Sequence, residues 1–93
     1  MKKIEINNNT YELIKDYKNG FEIDSIIEKC KETDFFDIYD YILGDWAYGK
    51  LRLKGFFNQE NPKCNNNNNY NKIDDYIKKY CAYECRYFII KKK

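Results

Sequence analysis

Hydrophobic and polar residues alternate in four short segments of the chain, and together with a fifth, mostly apolar segment they predict five β-strands. The segments span residues 3–6, 10–17, 39–44, 50–54 and 86–90. Asparagines at positions 7–9 favour a turn between the first two segments, and residues 45–49 have a suitable length for the loop of a second hairpin. The last segment is apolar on both faces, which is typical of a strand in the interior of a sheet.

Two further segments carry hydrophobic residues at the spacing of an α-helix. The first apolar stripe consists of Ile23, Ile26, Ile27 and Cys30, and the second of Ile73, Tyr76, Ile77, Tyr80 and Cys81. Asn71 is expected to cap the second helix. The element order is therefore ββ-α-ββ-α-β. Because each helix has a single apolar stripe, we expect an α+β fold with a mainly antiparallel five-stranded sheet. Both helices are expected to pack on one face of this sheet, with the other face partly open to solvent.

Residues 58–70 contain the only proline, a run of five asparagines and almost no apolar side chain. Ordering such a segment costs backbone entropy with little burial in return, so we expect a flexible Asn-rich loop that is dispensable for folding. The chain shows no internal repeat, and its length of 93 residues predicts one domain over residues 1–93.

Charge and residue content disfavour several function classes. Seventeen basic and fifteen acidic residues give a net charge of +2, which is too balanced to predict nucleic-acid binding from charge alone. The chain has no histidine to act as a base near neutral pH, and helix capping explains its one serine, Ser25. We therefore assign no catalytic residue.

The four cysteines are Cys30, Cys64, Cys81 and Cys85. Only the last two are closely spaced, whereas a zinc site usually pairs its ligands twice, so we expect reduced thiols and neither metal nor cofactor. No apolar run approaches the roughly 18 residues of a membrane span, and no signal peptide is visible. The sequence thus predicts a cytoplasmic protein.

The strongest candidate for a functional surface lies in the hairpin over residues 39–57. Its residues are Asp45, Trp46, Tyr48, Lys50, Arg52 and Lys54. Cations at alternate positions share one face of a strand, so changing Arg52 and Lys54 to Glu is expected to alter stability little. Cations beside aromatic rings suit single-stranded RNA, by phosphate contact and base stacking. The alternative is an ordinary solvated face with cross-strand ion pairs to Asp40 or Glu12.

The same hairpin resembles a known family. The string from Tyr39 to Phe57, YDYILGDWAYGKLRLKGFF, is similar to the YutD-like family of small uncharacterised bacterial proteins. Further similar positions are residues 11–20, Tyr80-Cys81, Cys85 and Tyr87-Phe88. The resemblance implies a small α+β domain from a bacterial cytoplasm, and it brings no catalytic residues.

Two function hypotheses follow from this candidate surface. The first is a non-catalytic binding module for RNA or a ribonucleoprotein that uses the sheet face and the hairpin loop. The second is a protein-interaction domain anchored by Trp46 and Tyr48, because Trp and Tyr are common interface anchors. A small enzyme is a third and less favoured alternative. Binding driven by phosphate contacts weakens steeply with salt, which separates the first hypothesis from the second.

Overall fold

The computed structural model describes residues 3–31, 35–80 and 85–93, so Cys81 lies outside the described ranges. These residues form a five-stranded antiparallel sheet and two α-helices, which confirms the predicted α+β fold and its element order. The strands are β1 (Lys3–Ile6), β2 (Asn9–Tyr17), β3 (Tyr41–Ala47), β4 (Lys50–Phe56) and β5 (Tyr87–Lys92), and the helices are α1 (Ile23–Lys31) and α2 (Ile73–Tyr80). The strand order is β1-β2-β5-β3-β4, so β5 is interior as predicted.

Both hairpins close through two-residue turns. The central residues, all with positive φ, are Asn7 (51°) and Asn8 (69°) in one turn and Tyr48 (54°) and Gly49 (74°) in the other. Positive φ at both central positions defines the type I′ turn, whose twist matches that of the flanking strands. The predicted loop over residues 45–49 is therefore too long. Residues 45–47 continue β3 and pair with residues 50–52 of β4.

The two helices lie on opposite faces of the sheet, so the prediction that both pack on one face is wrong. Helix α1 contributes Ile26 and Cys30 to a core that includes Ile42, Phe88 and Ile90. These last three residues occupy alternate positions in β3 and β5 and therefore point to the same face.

Helix α2 covers the opposite face of β3, β4 and β5. Its Ile73 packs with Tyr41, Leu43, Tyr87 and Ile89 in a second core. Because the central strands are apolar on both sides, each side needs its own cover, and one helix on each face buries both. The partly open face predicted from the sequence is thus confined to the part that α2 leaves uncovered, where β1 presents charged, exposed residues.

Gly44 in β3 permits close packing on the α1 side. A Cβ atom at this position would lie 2.2 Å from ring atoms of Phe88, a separation that no side chain tolerates. The Phe88 ring in turn meets Phe21 edge to face, with centroids 5.5 Å apart. The glycine therefore lets an aromatic ring lie flat against the strand.

The Asn-rich segment, residues 58–70, is anchored where it leaves the sheet. The Asp40 carboxylate accepts a hydrogen bond from the Asn58 backbone N–H at 2.8 Å and another from the Asn61 side-chain amide at 3.2 Å. Asp40 therefore holds the start of the segment rather than serving as a cross-strand partner for the cations of β4. Flexibility of the residues further along stays a prediction.

The end of the same segment belongs to the fold. The Tyr70 ring stacks on Tyr41 with centroids 3.6 Å apart and an interplanar angle of 9°. Asn69 caps the short 3-10 turn Tyr70–Lys72 that leads into α2, because its side chain accepts a hydrogen bond from the Asn71 N–H at 2.9 Å. The predicted cap, Asn71, is a donor in this contact. We accordingly confine the expectation of dispensability to the middle of the segment.

Candidate binding surface at the fourth strand

Asp45 and Arg52 form an ion pair across β3 and β4, where they are direct cross-strand neighbours. Asp45 is only 6% exposed, whereas the Arg52 side chain is 51% exposed. The Arg52 Nε donates to Asp45 Oδ1 at 3.2 Å and its Nη2 donates to Oδ2. The same Nη2 lies 3.3 Å from the carbonyl oxygen of Tyr80 at the end of α2. The acidic partner of this cation is therefore Asp45, where the sequence suggested Asp40 or Glu12.

Trp46 lies on the other side of the sheet, in contact with the α1 core. Its indole N–H donates to the carbonyl oxygen of Gly20 at 2.7 Å. The Arg86 guanidinium sits 4.5 Å from the centre of the indole rings, and it also pairs with Glu22 at 3.0 Å. These contacts tie the segment between β2 and α1 to β3. One face of the indole is therefore covered within the molecule.

Tyr48 and Lys50 lie at the tip of the second hairpin. Tyr48 is fully exposed and adopts positive φ, which is uncommon for a residue other than glycine. Lys50 is exposed as well, and it lines a shallow hollow against α1 with Asp24 and Glu28. The six residues of the predicted surface thus divide among the hairpin tip and the two sides of the sheet.

Lys54 lines a groove on the α2 side that was not expected from the sequence. The groove has a volume of about 300 Å³ and is lined by Lys54, Phe56, Asn66, Asn67, Lys72, Asp75, Tyr76, Lys79 and Tyr80. We call it the lysine groove. It is bounded by β4, by α2 and by the Asn-rich segment. Among the described residues that line it, three are lysines and one is an aspartate, so these side chains together carry a positive charge.

Aromatic rings form the floor of the lysine groove. Phe56 and Tyr76 meet edge to face with centroids 5.5 Å apart, and Tyr76 lies 4.7 Å from Tyr80. The Lys54 ammonium lies 5.4 Å from the Phe56 ring centre, and the Lys79 ammonium lies 5.4 Å from that of Tyr80. Both cations thus lie over aromatic rings of the groove.

A sequence signal for the helical wall of this groove exists. Lys72, Asp75, Tyr76 and Lys79 follow the i, i+3, i+4, i+7 spacing of one helix face. Of these four residues, only Tyr76 was named from the sequence, as part of the apolar stripe of the second helix. Their significance depends on Lys54, which is distant in sequence and meets them only because α2 packs beside β4.

The cysteines and acids give no sign of catalytic or metal chemistry in the part of the chain that the structure describes. Cys30 is buried, and burial raises the pKa of its thiol, which disfavours the reactive thiolate. Cys64 and Cys85 are free thiols. Within residues 3–31, 35–80 and 85–93, no three Cys, Asp or Glu side chains lie close enough to hold a metal ion.

The helices of the described ranges are short, and none is long and apolar enough to cross a membrane.

Fold and surface together define a small α+β protein with a charged groove beside an edge strand. The family described as "Putative antitoxin YutD-like" matches residues 5–91. A curated relative from Bacillus subtilis (strain 168), "Putative antitoxin YutD", is 42% identical over 89 residues, which cover 96% of this chain and 96% of that protein. The chain therefore belongs to the YutD-like family.

A solved relative agrees with this assignment. The solution NMR structure of protein yutD from B. subtilis matches this fold with a TM-score of 0.79 at 39% sequence identity. The match covers 100% of this chain and 83% of that chain. The resemblance is confirmed, as are the predicted α+β class and the five-stranded antiparallel sheet.

Proposed function

We propose that this chain is a non-catalytic binding protein that acts as an antitoxin by holding a partner protein at the lysine groove. Both its family and its B. subtilis relative are described as "putative antitoxin". The observation that carries the proposal is the groove itself, which sets three lysines around a floor of aromatic rings. Such a site suits an acidic, partly apolar protein segment.

The contacts favour a protein partner over RNA. Stacking of RNA bases needs open aromatic faces beside cations. The Trp46 indole has Arg86 over one face, and Arg52 is engaged by Asp45. In the groove, Tyr76 presents its ring to Phe56, which limits the area left for a base. Aromatic rings embedded among cations in this way suit acidic and apolar side chains of a protein.

A non-catalytic role agrees with the chemistry of the chain. It has no histidine, and the most buried acid of the described ranges, Asp45, is neutralised by a guanidinium. We also propose the cytoplasm as the compartment, as the sequence predicted, and cell fractionation tests it.

The proposal is tested by capture from an extract of the source cells after nuclease treatment. The tagged wild-type chain is compared with the double variant Lys54→Glu and Lys79→Glu. We expect wild type to retain one protein in near-equal amount and the double variant to retain it at least tenfold less. The matched control reverses Lys29 and Lys31, which are exposed at the end of α1 on the other side of the sheet. It should capture as wild type does.

Two outcomes would contradict this function. Equal capture by wild type and the groove variant would place the binding surface elsewhere. A second capture uses an extract that has not been treated with nuclease. If the material captured there has a 260-to-280 nm absorbance ratio typical of nucleic acid, and nuclease treatment abolishes its capture, the RNA hypothesis is favoured. Circular dichroism of each variant establishes that the fold is retained.

A further inference from the structure

Strand β4 forms one edge of the sheet and pairs only with β3 among the residues that the structure describes. The two-residue turn makes Ala47 and Lys50 a hydrogen-bonded pair, and such pairs alternate with non-hydrogen-bonded ones along the hairpin. The backbone N–H and C=O groups of the non-hydrogen-bonded positions in β4 therefore point away from β3. These positions are Leu51, Leu53 and Gly55. In the described part of the chain these groups have no main-chain partner.

The chain itself pairs with this edge immediately beyond β4. The Phe57 N–H donates to the Asn68 carbonyl oxygen at 2.7 Å, and the Phe57 carbonyl oxygen accepts from the Tyr70 N–H at 3.0 Å. These bonds make a parallel bridge between Phe57 and Asn69. Phe57 has the same orientation as Leu51, Leu53 and Gly55, so the outer edge accepts a strand in this position.

An asparagine turn stops this pairing before it reaches Gly55. The Asn65 side-chain oxygen accepts hydrogen bonds from the backbone N–H groups of Asn67 and Asn68, at 2.8 and 3.2 Å. Such a turn competes with an extended conformation. The segment therefore covers the edge at Phe57 and leaves the length of β4 available.

We propose that an extended segment of the partner protein pairs with β4 as a sixth strand, and that this segment alternates apolar and acidic residues. The proposal rests on the proposed function and specifies how the partner meets the groove. On one face of the added strand the neighbours are Leu51 and Leu53, which suit apolar side chains. On the other face the neighbour is Lys54, which lines the lysine groove and suits a carboxylate.

Charge argues against a second copy of this chain as the occupant. Two β4 edges side by side would bring lysines and arginine against one another, which is unfavourable. Pairing of β4 with β1 of a second copy would place Lys3 as well as Glu5 beside the cations. That contact is head-to-tail and would join copies of the chain into a ring or an open filament. An acidic strand from a different protein meets neither objection.

The direct test uses a capped heptapeptide of alternating valine and glutamate, with lysine in place of glutamate as the comparison peptide. Amide NMR spectra of the full chain are recorded during titration with each. We expect the glutamate peptide to shift the amides of Leu51, Leu53 and Gly55 and to slow their hydrogen exchange at least tenfold. The lysine peptide should leave them unchanged. Shifts confined to β1 or to α2 would overturn the proposal, as would concentration-dependent association of the chain alone through β4.

The edge is then blocked by Leu53→Pro, which removes an outward N–H without removing a bond to β3. We expect at least tenfold weaker binding of the glutamate peptide. The matched control is Glu5→Pro at the other edge, where the turn after Ile6 directs the Glu5 N–H outward in the same way. It should bind as wild type does. Equal binding by Leu53→Pro would overturn the proposal.

Two further results keep this test decisive. If Leu53→Pro does not fold, Lys54→Glu replaces it and should reverse the preference between the two peptides. Retention of that preference would overturn the proposal. Leu53→Pro is also used in the capture from cell extract. If the double variant Lys54→Glu and Lys79→Glu loses the captured protein while Leu53→Pro retains it, strand pairing is wrong and the proposed function stands. If neither variant changes capture, the proposed function fails as well.

Discussion

Replacing Arg52 by methionine tests the ion pair that joins β3 to β4. At an effective dielectric constant of about 20, opposite charges 3.2 Å apart attract by about 5 kcal/mol. Much of this gain offsets the cost of burying the Asp45 carboxylate, which the methionine variant would leave without its guanidinium. Breaking a fully buried pair costs about 3–5 kcal/mol. Because half of the Arg52 side chain is in solvent, we expect Arg52→Met to lower the free energy of unfolding by about 2–3 kcal/mol.

Asymmetry between the partners distinguishes burial of the carboxylate from simple surface attraction. Asp45→Asn keeps an acceptor and leaves the half-exposed guanidinium to water, so its cost should be about 1 kcal/mol. The variant that carries both Arg52→Met and Asp45→Asn should lose less free energy of unfolding than the two single variants together. We expect this difference, the coupling energy, to be about 1–2 kcal/mol. Lys54→Met, on the same strand, is the matched control and should stay within about 0.5 kcal/mol.

Urea unfolding followed by circular dichroism measures these differences, with the slope of each transition compared to establish that only stability has changed. A cost below about 0.5 kcal/mol for Arg52→Met would refute the reasoning, since the pair would then behave like an exposed surface contact. The sequence alone suggested that outcome, because it treated Arg52 and Lys54 as equivalent surface cations.

Three further outcomes are expected. Trp46→Phe loses the indole hydrogen bond and should lower the free energy of unfolding by about 1–2 kcal/mol. Tyr48→Phe at the exposed hairpin tip should leave the free energy of unfolding unchanged, and thermal unfolding of both variants tests this difference. Burial raises the pKa of Tyr11 from 10.0 to about 12. The unfolded chain therefore releases this proton first, and stability should fall by up to about 1.4 kcal/mol per pH unit between these values; Tyr11→Phe should flatten the decline in urea titrations at alkaline pH. Replacing residues 65–67 by Ser-Gly-Ser should alter the free energy of unfolding by less than about 0.5 kcal/mol. Tyr70→Ala should lower it by about 2–3 kcal/mol, because the variant loses the ring that stacks on Tyr41. Equal losses for the two variants in denaturant unfolding would show that the middle of the Asn-rich segment also packs.

The candidate site was predicted from the sequence only in part. Alternation placed Arg52 and Lys54 on one face of β4, and the structure agrees. It could not tell that Arg52 faces a buried acid while Lys54 faces a groove, because that difference depends on the cross-strand register. Trp46 was grouped with these cations by proximity in sequence, yet the two-residue turn makes it part of a strand and directs it to the opposite side.

The position of the helices shows a similar division. The apolar stripes of α1 and α2 predicted that each helix packs on the sheet, and both do. The sequence also indicated that β5 is apolar on both faces, which implies a covering layer on each side. An apolar stripe shows that a helix packs against the sheet, but it does not show on which face. The sequence therefore did not assign one helix to each face.

The sequence by itself determined the elements of this protein, since alternation, helical spacing and turn residues act within a few neighbouring positions. The YutD-like resemblance was likewise carried mainly by one continuous string, from Tyr39 to Phe57. Only the tertiary structure decided the strand order, the face that each helix covers and the lysine groove. These depend on which distant segments meet, and Lys54 and Lys79 share a groove because β4 lies at the edge of the sheet and α2 packs against it.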